Sequence, residues 1–414
     1  MNTIDLIPVT EDDVQEHVFD ILVTHAPPEK SDLGVYERKD GIITVDLRVP
    51  STYSTTGFHG SAASTSVSSS KTRRKSKKKT GGKSKEPKYG FIQLDIGQSI
   101  SLFTSSTESS TTGAMLWRVS VFFTEWILNV SQGHVIDRFQ EQQVSEKIEE
   151  PKMDEDVKVR LLNYPLEEWD VVEVGCGASG LVAAALGPVV HKYLATDHLK
   201  SVLRQAENNI VANVPRRLVT TLDGEVNAVE SKFDNNDDYD DDDAIAAVYR
   251  AARKEQEGKI QCVEFDWEDM DSGINSISKI LGSENSNLNV QLEAELQGLN
   301  VKDEPKSTRI TEKSEDKPLV VLACDTVFNE YLIPHLLDAT ASLCGRVRPQ
   351  NAHVIVAQQV RDPQIMTSFM EQFVSHRAED SDQTSFEVYA VPDRLLSQAL
   401  VNGYTVHYAR YKGI

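Results

Sequence analysis

A glycine-rich turn between an apolar strand and an apolar helix is the strongest chemical signal in this sequence. The run VVEVGCGASGLVAAALG places Gly175, Gly177 and Gly180 directly after a predicted strand at 170–174. Glycines at this spacing let the backbone turn tightly and approach a ligand closely. About twenty residues later a second predicted strand ends at Asp197, whose carboxylate can accept hydrogen bonds from both hydroxyls of a ribose. The segment therefore predicts a site for a nucleoside-containing cofactor.

Two cofactor classes fit this spacing, a nicotinamide dinucleotide and S-adenosylmethionine. The acid Glu173 lies two residues before Gly175, where it can face a cationic sulfonium but gains nothing from a negative pyrophosphate. Asp266-Trp267 follows the third predicted strand, and Trp267 can stack there on an adenine ring. The strand pattern also continues through seven strands with an unusual final pair. These features favour S-adenosylmethionine, and a nicotinamide-dependent oxidoreductase stays open as the alternative.

The elements that would position these groups alternate between strand and helix from residue 169 onward. Helices are predicted at 200–213 and 331–344, with a short one at 393–400. Such alternation predicts an α/β fold with a Rossmann-like, mainly parallel sheet covered on both faces. The seven predicted strands are 170–174, 193–196, 262–265, 319–324, 353–359, 386–391 and 404–411.

An N-terminal β-rich extension is predicted over 1–110, ahead of a cofactor-binding domain at 111–414. The extension contains two paired strands, 42–49 and 89–97, and a helix at 114–130 leads into the domain. Three polar stretches lack the apolar residues needed to offset the entropy of ordering, so they are predicted to be disordered insertions. They are a basic loop at 51–88, an acidic run at 223–258 and a polar run at 282–317.

Composition limits the function classes further. The formal net charge of −21 argues against general affinity for nucleic acid or membranes and suits a basic protein partner. The four cysteines form no CxxC pair, so no metal site is predicted, and buried thiols fit a reducing compartment. Neither a signal peptide nor a membrane-spanning run is predicted, so we expect a soluble, monomeric protein of the cytoplasm or nucleus. The basic loop is interpreted as a solvated insertion, with a nuclear signal or RNA contact as the alternative.

Several motifs together resemble a known family. VEVGCGASG, ATDH, FDWED and ACDTVFNE, in that order, resemble the seven-strand protein lysine methyltransferases of the methyltransferase-like twenty-one type. The resemblance covers about 110–414 without the insertions, and AMLWRVSVFFTEWI is similar to the family's upstream segment. The N-terminal hairpin region together with ACDTVFNEYLIPHLL is most similar to the fungal ribosomal lysine methyltransferases. The resemblance implies methylation of a lysine, on a basic protein of the large ribosomal subunit, with S-adenosylmethionine as donor.

The resemblance also implies roles for individual residues at the donor end. Cys324 would supply a backbone contact near the methionine end, and its alternative role is that of a small buried hydrophobe. Trp117 could instead be a core residue of its helix, and Trp267 an exposed aromatic at a strand end. The cofactor-binding residues implied are Trp117, Gly175, Cys176, Gly177, Asp197, Trp267 and Cys324.

Asp325 and Phe328 carry the family's acid-x-x-aromatic signature after the fourth strand and would position the acceptor lysine. The family's usual aromatic is tyrosine, so Phe328 keeps the aromatic wall and lacks the hydroxyl. Asp325 could alternatively cap the following helix. Other acceptors, such as a histidine or a small molecule, stay open, as does a binding module without catalysis. The absence of an Asn-Pro-Pro-Tyr motif counts against amide or adenine nitrogens.

Overall fold

A mixed sheet and a separate hairpin contain the strands of the described residues. These residues, taken from a computed structural model, are 6–25, 34–50, 53, 89–98, 112–131, 162, 164–222, 258–282, 317–378 and 381–413. The strands are β1 (Ile7–Val9), β2 (Gly41–Pro50), β3 (Tyr89–Gln98), β4 (Asp170–Val174), β5 (Lys192–Asp197), β6 (Val219–Thr220), β7 (Ile260–Glu264), β8 (Leu319–Cys324), β9 (Ala352–Gln359), β10 (Phe386–Ala390) and β11 (Tyr404–Tyr411). The helices are α1 (Val14–Thr24), α2 (Arg118–Val130), α3 (Leu181–Leu186), α4 (Lys200–Asn213), α5 (Met270–Leu281), α6 (Leu332–Val347), α7 (Pro363–Ser375) and α8 (Gln398–Val401).

The sheet order is β1-β10-β11-β9-β8-β4-β5-β7-β6. Five parallel strands, β7, β5, β4, β8 and β9, form its centre, and β11 and β10 continue it in antiparallel pairing. These seven strands are the predicted sheet with its unusual final pair, so the predicted fold class is confirmed. Two short strands that the sequence analysis missed extend the edges, β6 beside β7 and β1 beside β10.

Strand side chains alternate between two hydrophobic cores, one on each face of the sheet. In β4, Val171 belongs to the first core and Val172 to the second. The first core lies under the β2–β3 hairpin, α2, α3 and α4, whereas the second lies under α1, α5, α6 and α7. Because both faces are covered, the central strands are apolar on both sides and form near-continuous hydrophobic runs in the sequence.

The hairpin and α1 attach the N-terminal region to this body. The side-chain oxygen of Asn209 on α4 accepts a hydrogen bond from the N–H of Gly97 on β3, at 2.8 Å. Helix α1 packs against α7, and its His17 Nε2 lies 2.8 Å from His407 Nε2 on β11. The division of the chain at residue 110 remains a prediction.

The predicted insertions lie outside the described residues, apart from Tyr53 and the flanking Gly258, Gly282 and Lys317. Tyr53 is buried, and its hydroxyl donates to the Ala185 carbonyl at 2.6 Å. The helix predicted from residue 114 begins at Arg118, after a short 3₁₀ turn at Thr112–Ala114. Within the described part of the chain, no helix is both long enough and apolar enough to cross a membrane.

Candidate active site

A cavity of about 330 Å³ opens where β4, β5, β7 and β8 end. Open α/β sheets bind ligands at this edge, where the loops after parallel strands converge. The nine residues to which the resemblance assigned cofactor or acceptor roles all line this cavity: Trp117, Gly175, Cys176, Gly177, Asp197, Trp267, Cys324, Asp325 and Phe328. The structure therefore brings the predicted residues together, while their individual roles remain predictions.

The glycine loop after β4 forms a bare backbone wall of the cavity. Gly175 and Gly177 have φ values of 71° and 61°, in the left-handed region that favours glycine. A Cβ at Gly175 would lie 2.9 Å from Thr326 Cγ2 and 3.2 Å from the Trp267 ring. A Cβ at Gly177 would lie 3.0 Å from the Gly113 carbonyl oxygen. Neither glycine has room for a Cβ, and a ligand can therefore meet their peptide groups directly.

Asp197, at the end of β5, holds this loop and also faces the cavity. Its Oδ2 accepts from the Gly177 N–H and its Oδ1 from the Leu199 N–H, each at 3.2 Å. His198 Nδ1 lies 3.3 Å from Oδ1, and this hydrogen bond raises the pKa of His198. Oδ2 has a further lone pair, so Asp197 can still accept a hydrogen bond from a ribose hydroxyl. Acceptor, glycine cradle and the Trp267 ring together fit an adenosine-containing cofactor.

Glu173 does not face the cavity, contrary to the expectation from its position. Its side chain is 2% exposed and accepts a hydrogen bond from the Tyr193 hydroxyl at 2.8 Å. Burial raises the pKa of Glu173 to about 8, and the hydrogen bond from Tyr193 opposes this rise. In its ionised form, Glu173 would raise the pKa of the cavity-lining thiols of Cys176 and Cys324. Glu173 therefore lies behind the cavity wall, protonated at neutral pH.

The loop after β8 forms the other end of the cavity. Asp325 has a φ of 57°, unusual for a residue other than glycine, and its N–H donates to the Ala357 carbonyl at 2.8 Å. Helix α6 begins only at Leu332, after its N-cap Tyr331, so Asp325 does not cap it. Phe328 and Tyr331 are 36% and 62% exposed and stand on the rim. This end is open, polar at its base and aromatic at its mouth.

The cavity lining also includes residues that were not predicted, among them Gly113, His198 and Arg361. The Gly113 carbonyl accepts from the Ala178 N–H at 2.6 Å, so the segment before α2 covers the glycine loop. The guanidinium of Arg361 pairs with Asp325 and lies 5.0 Å from the centroid of the Trp117 ring. His198 and Arg361 follow the ends of β5 and β9, and the rule that placed Asp325 could have found both. Gly113 carries no comparable signal.

Metal ligation has no obvious basis among these residues. Within the described ranges, no three His, Cys, Asp or Glu side chains are grouped so as to hold an ion. Burial raises the pKa of the thiols of Cys176 and Cys324, which keeps both neutral at physiological pH.

Comparisons with known proteins agree with the geometry. No protein-family profile matches the chain. Ribosomal lysine N-methyltransferase 5 of Candida glabrata is 24% identical over 376 residues, which span 88% of this chain and 90% of that protein. Its namesake in Saccharomyces cerevisiae is 23% identical over 416 residues, 96% of this chain and 97% of that protein. The crystal structure of a ribosomal protein L11 methylase of Lactobacillus delbrueckii subsp. bulgaricus is weakly similar, with a TM-score of 0.23 and 13% sequence identity. The match covers 58% of this chain and 69% of that protein. The relation to methyltransferases is distant in identity and nearly full-length in extent.

Proposed function

From this distant homology to proteins named ribosomal lysine N-methyltransferase 5, we propose that the chain is an S-adenosylmethionine-dependent protein-lysine N-methyltransferase. The observation that carries the proposal is the cavity at the carboxyl ends of the parallel strands, which gathers the glycine loop, Asp197 and the acid-x-x-aromatic pair. The proposed substrate is a basic protein of the large ribosomal subunit, methylated in the cytoplasm. The names of the relatives and the net charge of −21 support this choice.

The donor end would consist of the glycine loop, Asp197 and the two tryptophans. Asp197 would accept hydrogen bonds from the ribose, and Trp267 would stack on adenine. Gly175 and Gly177 would present peptide groups to the methionine and ribose part, with Cys176 and Cys324 beside them. S-adenosylmethionine supplies a methyl group activated by the positive sulfonium. The cavity walls would hold this donor in place and shield the reacting carbon from water.

The acceptor end must deliver a neutral amine in line with the methyl–sulfur bond. The new N–C bond forms as the S–C bond breaks, and the proton of the amine leaves to water. A lysine amine has a reference pKa near 10.4, so deprotonation at pH 7 costs about 5 kcal/mol. Alignment of donor and acceptor can offset several kcal/mol of the barrier. Phe328 would form one wall of the lysine channel, and the loop of Asp325 would orient the nitrogen.

Two measurements test the proposal. Calorimetry with S-adenosylhomocysteine and with NADH separates a methyltransferase from a nicotinamide-dependent enzyme. Incubation with labelled S-adenosylmethionine and an extract of cells lacking this protein is expected to label one small basic protein at lysine. Binding of S-adenosylhomocysteine without any labelling would indicate a binding module without catalysis. Labelling at histidine, or of a small molecule, would overturn the lysine acceptor.

Variants of the acceptor end sharpen this test. Asp325→Asn is expected to lower the rate far more than the affinity for S-adenosylhomocysteine, because the donor lies mainly on the loops after β4 and β5. Phe328→Tyr restores the family's usual aromatic and is the matched control, expected to keep the rate within about threefold. Phe328→Ala removes the channel wall and is expected to cost about 10- to 100-fold through misalignment. A normal rate in Asp325→Asn would place the acceptor elsewhere.

A further inference from the structure

Arg361 connects the two ends of the cavity. It lies between the end of β9 at Gln359 and the start of α7 at Pro363. Its guanidinium pairs with the Asp325 carboxylate and also lies over the ring of Trp117. Its Nε donates to the side-chain oxygen of Gln359 at 2.9 Å, which fixes the plane of the guanidinium. One cation therefore contacts the proposed acceptor loop and the proposed donor wall together.

Asp325 depends on this cation because its side chain is only 2% exposed. Burial raises the pKa of the Asp325 carboxyl, and Arg361 and the Gln359 N–H oppose this rise. The N–H of Gln359 donates to Oδ1 at 3.2 Å, while Arg361 donates to Oδ2. Both oxygens thus accept from protein donors. Without the guanidinium the carboxyl would be a buried charge with one hydrogen bond, and it would take up a proton.

Trp117 depends on Arg361 from the other side. It is the N-cap residue of α2 and has an extended backbone, bridged in antiparallel fashion to Val35. The Arg118 N–H donates to the Gly34 carbonyl at 2.9 Å in the same bridge. A guanidinium over an indole face is attracted by the ring quadrupole, more strongly when both are shielded from water. The ring is therefore held between the N-terminal segment and Arg361.

We propose that Arg361 is a positioning residue for methyl transfer, which holds the Asp325 carboxylate ionised and in place while it fixes the Trp117 ring over the donor site. The inference rests on the proposed function. The pairing also reduces the negative charge beside the acceptor, where an unpaired carboxylate would stabilise the unreactive ammonium form of lysine. With its charge balanced by Arg361, Asp325 can accept a hydrogen bond from the amine without favouring that form.

The test compares Arg361→Gln, Asp325→Asn and the double variant, with Arg361→Lys as the conservative control. The readout is labelling of the wild-type substrate band at several pH values, together with affinity for S-adenosylhomocysteine. Arg361→Gln is expected to lower the rate about 10- to 100-fold. The rate is also expected to gain an additional acid limb beyond the one that lysine deprotonation gives to every variant, since loss of the guanidinium raises the pKa of Asp325 and activity falls as the pH drops through it. Other charged or titratable groups surround the Asp325–Arg361 pair. Neighbouring elements contribute Cys324 on β8, Arg118 on α2, Tyr404 on β11 and Asp362 on the same loop as Arg361. The cavity contributes Asp197, His198, Asp266 and Glu268.

Three results would support the inference. The additional acid limb is absent from Asp325→Asn, the loss of rate in the double variant is smaller than the product of the two single losses, and Arg361→Lys recovers much of the lost rate. Independent, multiplicative losses in the double variant would overturn the inference, as would an Arg361→Gln profile parallel to that of the wild type. A wild-type protein that labels nothing would instead refute the proposed function, so the two failures are distinguishable.

Discussion

Replacement of Glu173 by glutamine removes a buried carboxyl that titrates in an unusual range. Its pKa is raised by burial from 4.5 to about 8, so the folded protein keeps its proton at pH values where the unfolded chain has lost it. Between these two pKa values the folded state binds more protons than the unfolded state, and stability falls as the pH rises. The variant Glu173→Gln cannot titrate and loses this contribution.

The size of the effect follows from the two pKa values. A rise from 4.5 to about 8 corresponds to about 5 kcal/mol of unfolding free energy, present in full below pH 4.5 and lost by the time the pH passes 8. At 2% exposure, little solvent screening reduces this figure. The glutamine oxygen can still accept from the Tyr193 hydroxyl. Its amide donors can lack partners, which costs about 1–3 kcal/mol at every pH.

Urea unfolding of the wild type and of Glu173→Gln at pH 5.5, 7 and 8.5 checks this reasoning. The free energy of the variant minus that of the wild type is expected to rise by about 3–4 kcal/mol over this range. This difference isolates Glu173, because His17 and His407, whose pKa values burial lowers, titrate in both proteins. A difference that stays constant with pH would show that Glu173 is ionised in the folded protein and would refute the argument.

Three further outcomes are expected. At pH 7, binding of S-adenosylmethionine is expected to release more protons than binding of S-adenosylhomocysteine, because the sulfonium lowers the pKa of Glu173. Calorimetry in buffers of different ionisation enthalpy measures the number of protons released, and Glu173→Gln is expected to abolish the difference between the two ligands. Gly175→Ala is expected to weaken S-adenosylhomocysteine binding at least tenfold, since its φ of 71° and Thr326 at 2.9 Å oppose a Cβ, while Gly90→Ala on β3, with 3.8 Å to its nearest neighbour, keeps the affinity. Asp170→Asn is expected to lose about 3–5 kcal/mol of stability in urea unfolding and no ligand affinity. This buried acid pairs with Arg348 at the amino end of β4, away from the cavity at the carboxyl ends of the strands.

The central strands were predictable because burial on both faces leaves a continuous apolar run. The predicted 170–174, 319–324 and 404–411 coincide with β4, β8 and β11. Strand β1 has three residues and β6 has two, too short for any periodicity to appear. Helix α1 was missed although Val14, Val18 and Ile21 are spaced for one buried face, because acidic residues interrupt the segment.

The site was predictable where strand ends alone decide a position. Asp197, Trp267 and Asp325 were found because each follows a parallel strand. Side-chain direction was harder to infer, and Glu173 illustrates why. Alternation along β4 puts Glu173 on the side of Val171, towards Tyr193 of the neighbouring strand, and so away from the cavity. The contact between Arg361 and Asp325 joins residues 36 apart in the chain, and no local pattern indicates it.

The whole chain is strongly acidic, whereas methylation of an amine needs little negative charge beside the acceptor. An acidic protein with a net charge of −21 attracts a lysine-rich partner, yet a strongly negative site would hold the acceptor as an ammonium ion. The structure reduces negative charge where the acceptor would enter, because Asp325 is paired with Arg361. Under the proposed function, the lysine would be drawn by long-range charge and would meet a carboxylate whose charge Arg361 balances. Under that proposal, discrimination between the free amine and its ammonium would depend on the integrity of the Asp325–Arg361 pair more than on either residue alone.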